Sequence, residues 1–449
     1  MKRKVIATLL TVIMTVGLVA GCGASQDDSS TTGDDSNSSS GNAKVTLRVL
    51  STMEICGQET MDLFMEEYPD INIDFTYVPA TDYTAKFSAM ASSNEMPDVF
   101  WTQAGYYTDQ IKDGMLMNLA DALDSDAYEG DMSWRDTYDE QLIENLEAMA
   151  EMATGDENDV DYGVPFALTT TAVLYDQAIY DELGLSIPTT WDEFMSNCEA
   201  LKNAGYTPIA QQNNSCVDWW PRLFWDQYCR QEMEVEGKNF EDGSMTFNTE
   251  SVRQGIEAYK TLWDDGYLPE SAMTADLQAV QQMFIQGELA QILITPSKIE
   301  YIMENAPDTM KLATYTLPGI LDLPARSLGG SSNIWAINAD TQYPEESLLL
   351  LKFITSRTNY NTNPILRYTV SGLKGVEKDA EVQTILEAFE QAAENGFIPD
   401  IYVPVTVSTE IKTAFMSDLI PNYLNGTYDL DYVCNELQSM YDEYLKSNS

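Results

Sequence analysis

Amide and indole side chains are concentrated in one short stretch of the chain, Gln211 to Trp220, which reads QQNNSCVDWW. Amide groups hydrogen-bond hydroxyls, and the face of an indole ring stacks on the apolar C–H face of a pyranose. The stretch therefore predicts carbohydrate binding, with Asp218, Trp219 and Trp220 as candidate ligand contacts. The alternative is structural, because apolar residues recur here at helical spacing as far as Leu223, and some of the tryptophans would then belong to a core.

A second set of candidate residues follows two predicted strands near the start of the chain. Glu54 comes shortly after the alternating segment Val45 to Val49, and Trp101 and Gln103 end a short apolar segment that begins at Pro97. Trp101 could offer an aromatic face to a sugar, while Glu54 and Gln103 could hydrogen-bond its hydroxyls. For Trp101 the alternative is again a core tryptophan.

These residues depend on a predicted βαβαβ arrangement. Alternating apolar residues predict strands over 45–49, 71–77 and 97–101, and apolar residues at helical spacing predict helices over 60–68 and 82–92. This order indicates a parallel sheet with right-handed crossovers. Ligands bind such sheets at the carboxyl ends of the strands, where Glu54, Trp101 and Gln103 lie.

The residue types argue against most enzyme classes. The chain contains no histidine, which removes Ser-His-Asp triads and most zinc sites. It contains 72 acidic residues, so a pair of carboxylates close in sequence is not evidence for a catalytic site. We expect no enzymatic activity, no cofactor and no metal. A secreted glycoside hydrolase that uses two carboxylates, with Glu54 as the first to test, is the alternative.

The formal net charge of −48 restricts the partners. Phosphate backbones and anionic lipid surfaces would repel such a chain, so we expect no nucleic-acid partner. The charge indicates a solvated acidic surface, and the alternative is a preference for a cationic ligand such as a polyamine or an amino sugar.

The first 43 residues resemble the leader of a bacterial lipoprotein. A basic start (Lys2 to Lys4) precedes an apolar segment (Val5 to Val16) and small residues before Cys22, which predicts a signal peptide over residues 1–21 and lipidation of Cys22. Residues 22–43 are almost all Ser, Asp, Gly, Thr and Asn, which predicts a flexible tether. The folded part is expected to begin near Lys44.

Five further cysteines are widely spaced and form no zinc or CxxC pattern. Buried free thiols are the expected state. A disulfide between Cys216 and Cys229 stays open as an alternative for an exported protein.

One longer stretch carries an ordered set of motif residues, from Tyr162 to Phe194. It contains Gly163, Pro165, an apolar run that ends in Tyr175-Asp176, then Leu183-Gly184 and Pro188-x-Thr190-Trp191-Asp192-Glu193-Phe194. The set resembles a signature of the family 1 extracellular solute-binding proteins, the sugar-binding lipoproteins of ABC importers. Thr190 and Glu193 also have the spacing of a capping box, which predicts a helix that begins at Trp191.

Two other segments resemble places where the chain passes between lobes in that family. Ser327 to Ile337 has the glycine pair Gly329-Gly330 before an apolar strand with Trp335, and Asn395 to Tyr402 resembles the last hinge segment. The glycines permit a close backbone approach to a ligand or a positive φ. The resemblance implies ligand contacts at Gly329, Gly330, Trp335 and Tyr402, although Tyr402 could instead be an interface tyrosine between lobes.

The resemblance implies an α/β, two-lobed periplasmic-binding-protein-like fold. Each lobe would be a mainly parallel sheet flanked by helices, and three hinge crossings would join the lobes. Residues 44–167 and 325–365 would form lobe 1, and residues 168–324 and 366–449 would form lobe 2.

The implied function is that of a substrate-binding lipoprotein of an ABC importer. Such a protein captures a carbohydrate by hinge closure and delivers it to a membrane permease. An oligosaccharide is the favoured ligand. The expected partners are a carbohydrate or other small polar solute and the permease subunits. The protein would be a monomer, anchored through lipid on Cys22 at the extracytoplasmic face of the cell membrane. A receptor for a cationic solute and a secreted glycoside hydrolase are the alternatives.

Overall fold

The structure is a computed structural model. It describes residues 45–53, 56–93, 95–156, 160–240, 242–321, 323–330, 333–398, 405 and 408–448. The predicted signal peptide, Cys22 and the predicted tether lie outside these residues, and so do Glu54 and Tyr402.

The described residues form nine strands and seventeen α-helices, in an α/β order. The strands are β1 Val45–Ser51, β2 Ile71–Tyr77, β3 Val99–Thr102, β4 Val164–Pro165, β5 Ala172–Asp176, β6 Ala210–Gln211, β7 Gln291–Ile294, β8 Leu312–Tyr315 and β9 Ile334–Ile337. The helices are α1 Gln58–Glu67, α2 Ala80–Ser92, α3 Ala104–Lys112, α4 Ala120–Leu123, α5 Glu140–Thr154, α6 Gln177–Leu183, α7 Trp191–Asn203, α8 Trp219–Arg230, α9 Glu250–Asp264, α10 Leu277–Ile285, α11 Glu300–Asn305, α12 Pro344–Ile354, α13 Arg357–Thr362, α14 Ala380–Glu394, α15 Thr409–Ala414, α16 Ile420–Leu424 and α17 Leu430–Asn448. None of these helices is long and apolar enough to cross a bilayer.

The first sheet has five strands in the order β2-β1-β3-β9-β4. Strands β1, β2 and β3 are parallel and are separated by α1 and α2, so the predicted βαβαβ unit is confirmed. Strand β9 returns from much later in the chain and runs antiparallel to β3 and β4, with Trp335 opposite Trp101. The sheet is therefore mixed rather than mainly parallel.

The second sheet has four strands in the order β6-β7-β5-β8. Strand β6 is parallel to β7, whereas β5 is antiparallel to both β7 and β8. All five residues of β5 are buried, because helices cover both faces of this sheet. Val173 and Tyr175 pack into one core, and Ala172 and Leu174 pack into another on the opposite face. This alternation is what the pleat of a strand requires.

Three chain crossings join the sheets, as expected for the two-lobed α/β fold. The first runs from β4 to β5, the second from β8 to β9, and the third from Leu366 to α14. Residues 395–398, expected to be the last hinge crossing, lie beside the second crossing instead. The flanking helices α14 and α15 both pack on cores that contain second-sheet residues, so the described chain lies with the second sheet before and after this segment.

The crossings are paired by backbone hydrogen bonds. Thr169 N donates to Gly330 O at 3.1 Å, and Gly330 N donates to Thr169 O at 2.9 Å. On the other side of the first crossing, Leu168 N donates to Val370 O at 2.9 Å. The first crossing is thus held between the second and the third.

Local sequence signals explain where α7 begins. Thr190 Oγ1 accepts a hydrogen bond from Glu193 N at 3.3 Å, and Glu193 Oε2 accepts one from Thr190 N at 3.3 Å, so the predicted capping box is confirmed. Hydrogen bonds from Thr189 and Thr190 lower the pKa of the Glu193 carboxyl. The helix then buries Phe194, Cys198 and Leu201 on one face.

All five described cysteines are buried free thiols, which include Cys216 and Cys229. The alternative of a disulfide between those two is therefore not realised. Burial raises the pKa of the Cys216 and Cys229 thiols to about 12, so neither is a reactive thiolate at neutral pH.

We predict that Thr190→Ala lowers the free energy of unfolding by about 1 kcal/mol, because the first turn of α7 loses its side-chain cap. Urea unfolding followed by circular dichroism measures the loss. The matched control is Thr384→Ala in α14, where the hydroxyl only returns to the carbonyl of Ala380. Equal losses in the two variants would show that the cap contributes nothing.

Candidate functional site

A cavity of about 400 Å3 lies between the two sheets, and we call it the cleft cavity. Its wall combines strand ends of both sheets with all three crossings. It is lined by Thr52, Met53, Tyr77, Ala167, Leu168, Thr169, Thr295, Pro296, Ser297, Lys298, Glu300, Asn333, Ile365, Thr369 and Val370. A ligand in this cavity would touch both halves of the molecule.

The first-sheet wall comes from two parallel strands that end side by side. Thr52 and Met53 follow β1, and Tyr77 is the last residue of β2, paired with Ser51. Tyr77 is 43% exposed and lines the cavity, so its side chain is accessible to a ligand there. The carboxyl ends of these strands thus line the cavity, as the rule for parallel sheets predicts.

The second-sheet wall follows β7 directly. Thr295 is the first residue after this strand, and its N–H and hydroxyl both donate to Gln212 Oε1, at 3.1 and 3.0 Å. The backbone carbonyl of Lys298 accepts from Gln281 Nε2 at 2.8 Å. Two buried glutamines therefore fix the turn that carries Thr295, Pro296 and Lys298 into the cavity.

Asn333 lines the cavity and connects the first crossing to the first sheet. Its Oδ1 accepts from the indole N–H of Trp101 at 3.2 Å, and its Nδ2 donates to Thr169 Oγ1 at 3.2 Å and to Ala167 O at 3.4 Å. Asn333 precedes β9 immediately, so the second crossing places this amide against the first crossing.

The charged groups of the cavity wall are few in a chain of such high negative charge. Lys298 and Glu300 are the charged residues among its described lining. Burial, with Glu304 nearby, raises the pKa of the Glu300 carboxyl, and Arg367 opposes this shift. The other polar lining groups are neutral hydroxyls and one amide, which suits an uncharged polar ligand.

Trp101 and Trp335 lie next to the cavity rather than in its wall. Trp101 is 6% exposed and packs edge-on against Tyr83, with 5.0 Å between the ring centroids. Trp335 is fully buried, and its indole N–H has no hydrogen-bond partner among the described residues. Gln103 is half-buried at the start of α3 and does not line the cavity. Trp101 is linked to the cavity wall through its hydrogen bond to Asn333.

Three of the predicted ligand contacts, Asp218, Trp219 and Trp220, do not line the cleft cavity. Trp220 is 0% exposed and donates to Gln211 Oε1 at 3.3 Å, inside the core on one face of the second sheet. Trp219 is half-buried against the same core. Asp218 is buried, and its Oδ2 lies 3.9 Å from Nη1 of Arg222. Trp220 was expected to face the ligand, and the structure corrects this. It lies on the face of α8 that packs into the core, as the helical spacing of the apolar residues also allowed. The neighbouring Gln212, by contrast, supports Thr295.

Gly329 and Gly330 build the second crossing rather than the described cavity wall. Their φ angles are +115° and +127°, in a region that residues with a Cβ rarely adopt. A Cβ on Gly329 would lie 1.9 Å from the carbonyl oxygen of Thr169. The glycines therefore permit the close pairing of the first and second crossings. Their positive φ agrees with the sequence prediction, whereas the predicted close approach to a ligand stays a prediction.

Tyr77, Thr295 and Asn333 were missed by the sequence reasoning. Tyr77 ends the second predicted strand, so the carboxyl-end rule that selected Glu54 and Trp101 already applied to it. Thr295 follows β7 in the same way. No comparable signal marks Asn333, because it contacts Ala167 and Trp101, which lie 166 and 232 positions earlier in the chain.

A second cavity of about 730 Å3, the rear cavity, shares Leu168, Thr369 and Val370 with the cleft cavity. Its lining is rich in carboxylates from α5 and α14, and it includes Lys378. The Lys378 ammonium donates to the carbonyls of Tyr360 at 3.2 Å and Leu366 at 2.8 Å, and burial lowers its pKa to about 8. The crossings therefore separate two cavities.

Within the described residues there is no group of three or more His, Cys, Asp or Glu side chains arranged to hold a metal ion.

Comparisons with known proteins agree with this geometry. A family model described as "Bacterial extracellular solute-binding protein" matches residues 49–360. A putative binding protein of Brucella abortus is 22% identical over 400 residues, which cover 87% of this chain and 89% of that protein. The melibiose/raffinose/stachyose-binding protein MelE of Bacillus subtilis is 20% identical over 401 residues, which cover 82% of this chain and 83% of that protein.

A solved structure described as a chitin oligosaccharide binding protein has the same fold. It superposes with a TM-score of 0.70 at 19% sequence identity, over 90% of this chain and 100% of that chain.

We predict that Gly329→Ala lowers the free energy of unfolding more than Gly287→Ala. Both glycines have positive φ, so each substitution costs about 1–2 kcal/mol of backbone strain. A Cβ on Gly287 meets nothing within 4 Å, whereas one on Gly329 meets the Thr169 carbonyl. Chemical unfolding of the two variants gives the difference, and equal losses would contradict the close approach.

Proposed function

Because the chain belongs to the bacterial extracellular solute-binding protein family, we propose that it is the substrate-binding component of an ABC importer and that it captures a carbohydrate, in the first place an oligosaccharide. The observation that carries this proposal is the cleft cavity, whose wall joins neutral hydroxyls, one amide and the exposed ring of Tyr77. Hydroxyls and amides hydrogen-bond sugar hydroxyls, and an aromatic face stacks on sugar C–H groups. The sugar ligands named for the relatives support the same ligand class.

The mechanism follows from the position of the cavity. We assign residues 44–167 and 325–365 to lobe 1 and residues 168–324 and 366–449 to lobe 2. A sugar held by Tyr77 on one side and by Thr295 and Ser297 on the other favours the state in which both walls approach it. Its differential affinity for that closed state drives closure about the crossings. The closed, loaded protein is then what the permease subunits recognise.

The remaining assignments extend this proposal to the whole chain. After removal of residues 1–21, lipid on Cys22 anchors the protein, and residues 22–43 connect it to the folded part. The protein works as a monomer at the extracytoplasmic face of the cell membrane. We propose that it performs no chemistry on the sugar, because the family and the relatives are described as binding proteins. Glu300 is the one carboxylate among the described residues of the cavity wall, whereas most glycoside hydrolases use two.

The test is a thermal-shift screen of the purified protein with melibiose, raffinose, stachyose, chitin oligosaccharides, monosaccharides and polyamines. A ligand at a hundred times its Kd stabilises the folded state by about 2.7 kcal/mol, which raises Tm by several degrees. We expect an oligosaccharide to raise Tm and to be recovered intact. A shift with polyamines alone would support a receptor for cationic solutes, and cleaved sugar would support a hydrolase.

We further predict that Tyr77→Ala weakens binding of the best oligosaccharide about tenfold or more, a change of at least about 1.4 kcal/mol. The variant removes the exposed aromatic face of the cavity, whereas Tyr77→Phe keeps it and should bind nearly as tightly. Isothermal titration calorimetry measures the three Kd values. Tyr343→Ala is the control, because this tyrosine is similarly exposed, at 37%, but does not line the cavity. Unchanged affinity in Tyr77→Ala would remove the ring from the site.

A further inference from the structure

Five threonine and serine residues line the cleft cavity, and their hydroxyls are not equivalent. Thr169 Oγ1 accepts from Asn333 Nδ2, and Thr295 Oγ1 donates to Gln212 Oε1. These two hydroxyls are hydrogen-bonded to the side-chain amides of Asn333 and Gln212, which hold the cavity wall in shape. They are part of the protein's own hydrogen-bond network.

Thr52 and Thr369 differ from that pair. The side-chain oxygen of each is buried and has no hydrogen-bond partner among the described residues. Thr369 as a whole is only 3% exposed. An unpaired buried hydroxyl costs free energy, because it has given up water and gained nothing in return, and native proteins rarely keep one without a reason.

The two residues come from different parts of the fold. Thr52 follows the carboxyl end of β1, and Thr369 lies in the third crossing next to Val370, whose carbonyl pairs with the first crossing. A strand end and a hinge segment thus bring two unpaired hydroxyls to the wall of one cavity.

We propose that Thr52 and Thr369 are specificity-determining residues of the cleft, whose hydroxyls are kept for hydroxyl groups of the bound sugar. This inference rests on the carbohydrate-binding function proposed above. A threonine hydroxyl both donates and accepts, as a sugar hydroxyl does, so either direction of hydrogen bonding satisfies the pair. Because neither oxygen is exposed here, binding includes a rotation about χ1 to another staggered position or a small movement of the wall.

Two consequences follow from unpaired hydroxyls. The unliganded protein carries a cost that the correct ligand removes, so the gain on binding is larger than for a hydroxyl that leaves water to bind. A deoxy sugar that lacks the matching hydroxyl leaves the threonine unpaired, and sites of this kind reject such analogues strongly. The pair therefore selects for the hydroxyl pattern of the ligand rather than for its size.

The experiment uses Thr52→Val and Thr369→Val, which remove the hydroxyl and keep the branched shape. We expect each variant to weaken binding at least tenfold, measured by calorimetry with the member of the melibiose, raffinose, stachyose and chitin oligosaccharide panel that shifts the parent protein most. We also expect the Tm of each unliganded variant to be equal to or higher than that of the parent, because an unpaired polar group has been removed.

Two matched variants separate this role from a structural one. Thr170 is fully buried with an unpaired Oγ1 but does not line the cavity, so Thr170→Val should leave the Tm equal or higher and the sugar affinity unchanged. Thr295→Val breaks the hydrogen bond to Gln212 and should lower the Tm of the unliganded protein.

The outcomes distinguish this inference from the proposed function. If the parent binds a sugar and both Thr52→Val and Thr369→Val bind it equally well, the inference is wrong and the function stands. A Tm below that of the parent in both unliganded variants would show that the hydroxyls are structural and would also overturn the inference. If the parent binds no sugar of the panel, the function and the inference fail together.

Discussion

The pairing of the first crossing with the second is the constraint on which the site depends. Thr169 and Gly330 exchange two backbone hydrogen bonds, and Gly329 approaches so closely that a Cβ would overlap the Thr169 carbonyl. The same pairing places Asn333 where its amide reaches both Thr169 and the Trp101 indole. A glycine at this point is therefore a requirement of the cavity and not only of a turn. Without the close approach, Asn333 could not hydrogen-bond both Thr169 in the cavity wall and Trp101 of β3.

Neutral amides carry out most of the positioning in a protein of high negative charge. Asn333 is hydrogen-bonded to Thr169 of the first crossing, Gln212 to Thr295 after β7, and Gln211 to Trp220 in the core beside the second sheet. An amide both donates and accepts, so it can join two elements without introducing a charge that burial would penalise. The carboxylates concentrate elsewhere, for instance around the rear cavity. This division leaves the cleft suited to an uncharged polar ligand.

Features that depend on neighbours in sequence were predictable, and features that depend on distant neighbours were not. The capping box of Thr190 and Glu193 and the βαβαβ order were read correctly, because both follow from spacing along the chain. Trp220 takes the core alternative rather than the ligand contact that was expected, because helical spacing determines which residues share a face but not whether that face meets a ligand or a core. Tyr77 was within reach, since the end of a strand beside β1 is a place where ligands bind. Asn333 was not, because its partners Trp101 and Ala167 meet it only in the folded chain.

The two cavities also bear on how the lobes move. Leu168, Thr369 and Val370 belong to both walls, so the crossings form a thin partition between the cleft cavity and the rear cavity. A rotation about this partition that narrows one cavity widens the other. If the closure proposed above occurs by such a rotation, the carboxylates of α5 and α14 that line the rear cavity move apart. Separating like charges lowers their repulsion, and this term favours closure at low ionic strength and is screened by salt. In such a closure the carboxylates of the rear cavity would affect the equilibrium of a site whose own described wall carries only Lys298 and Glu300 as charged residues.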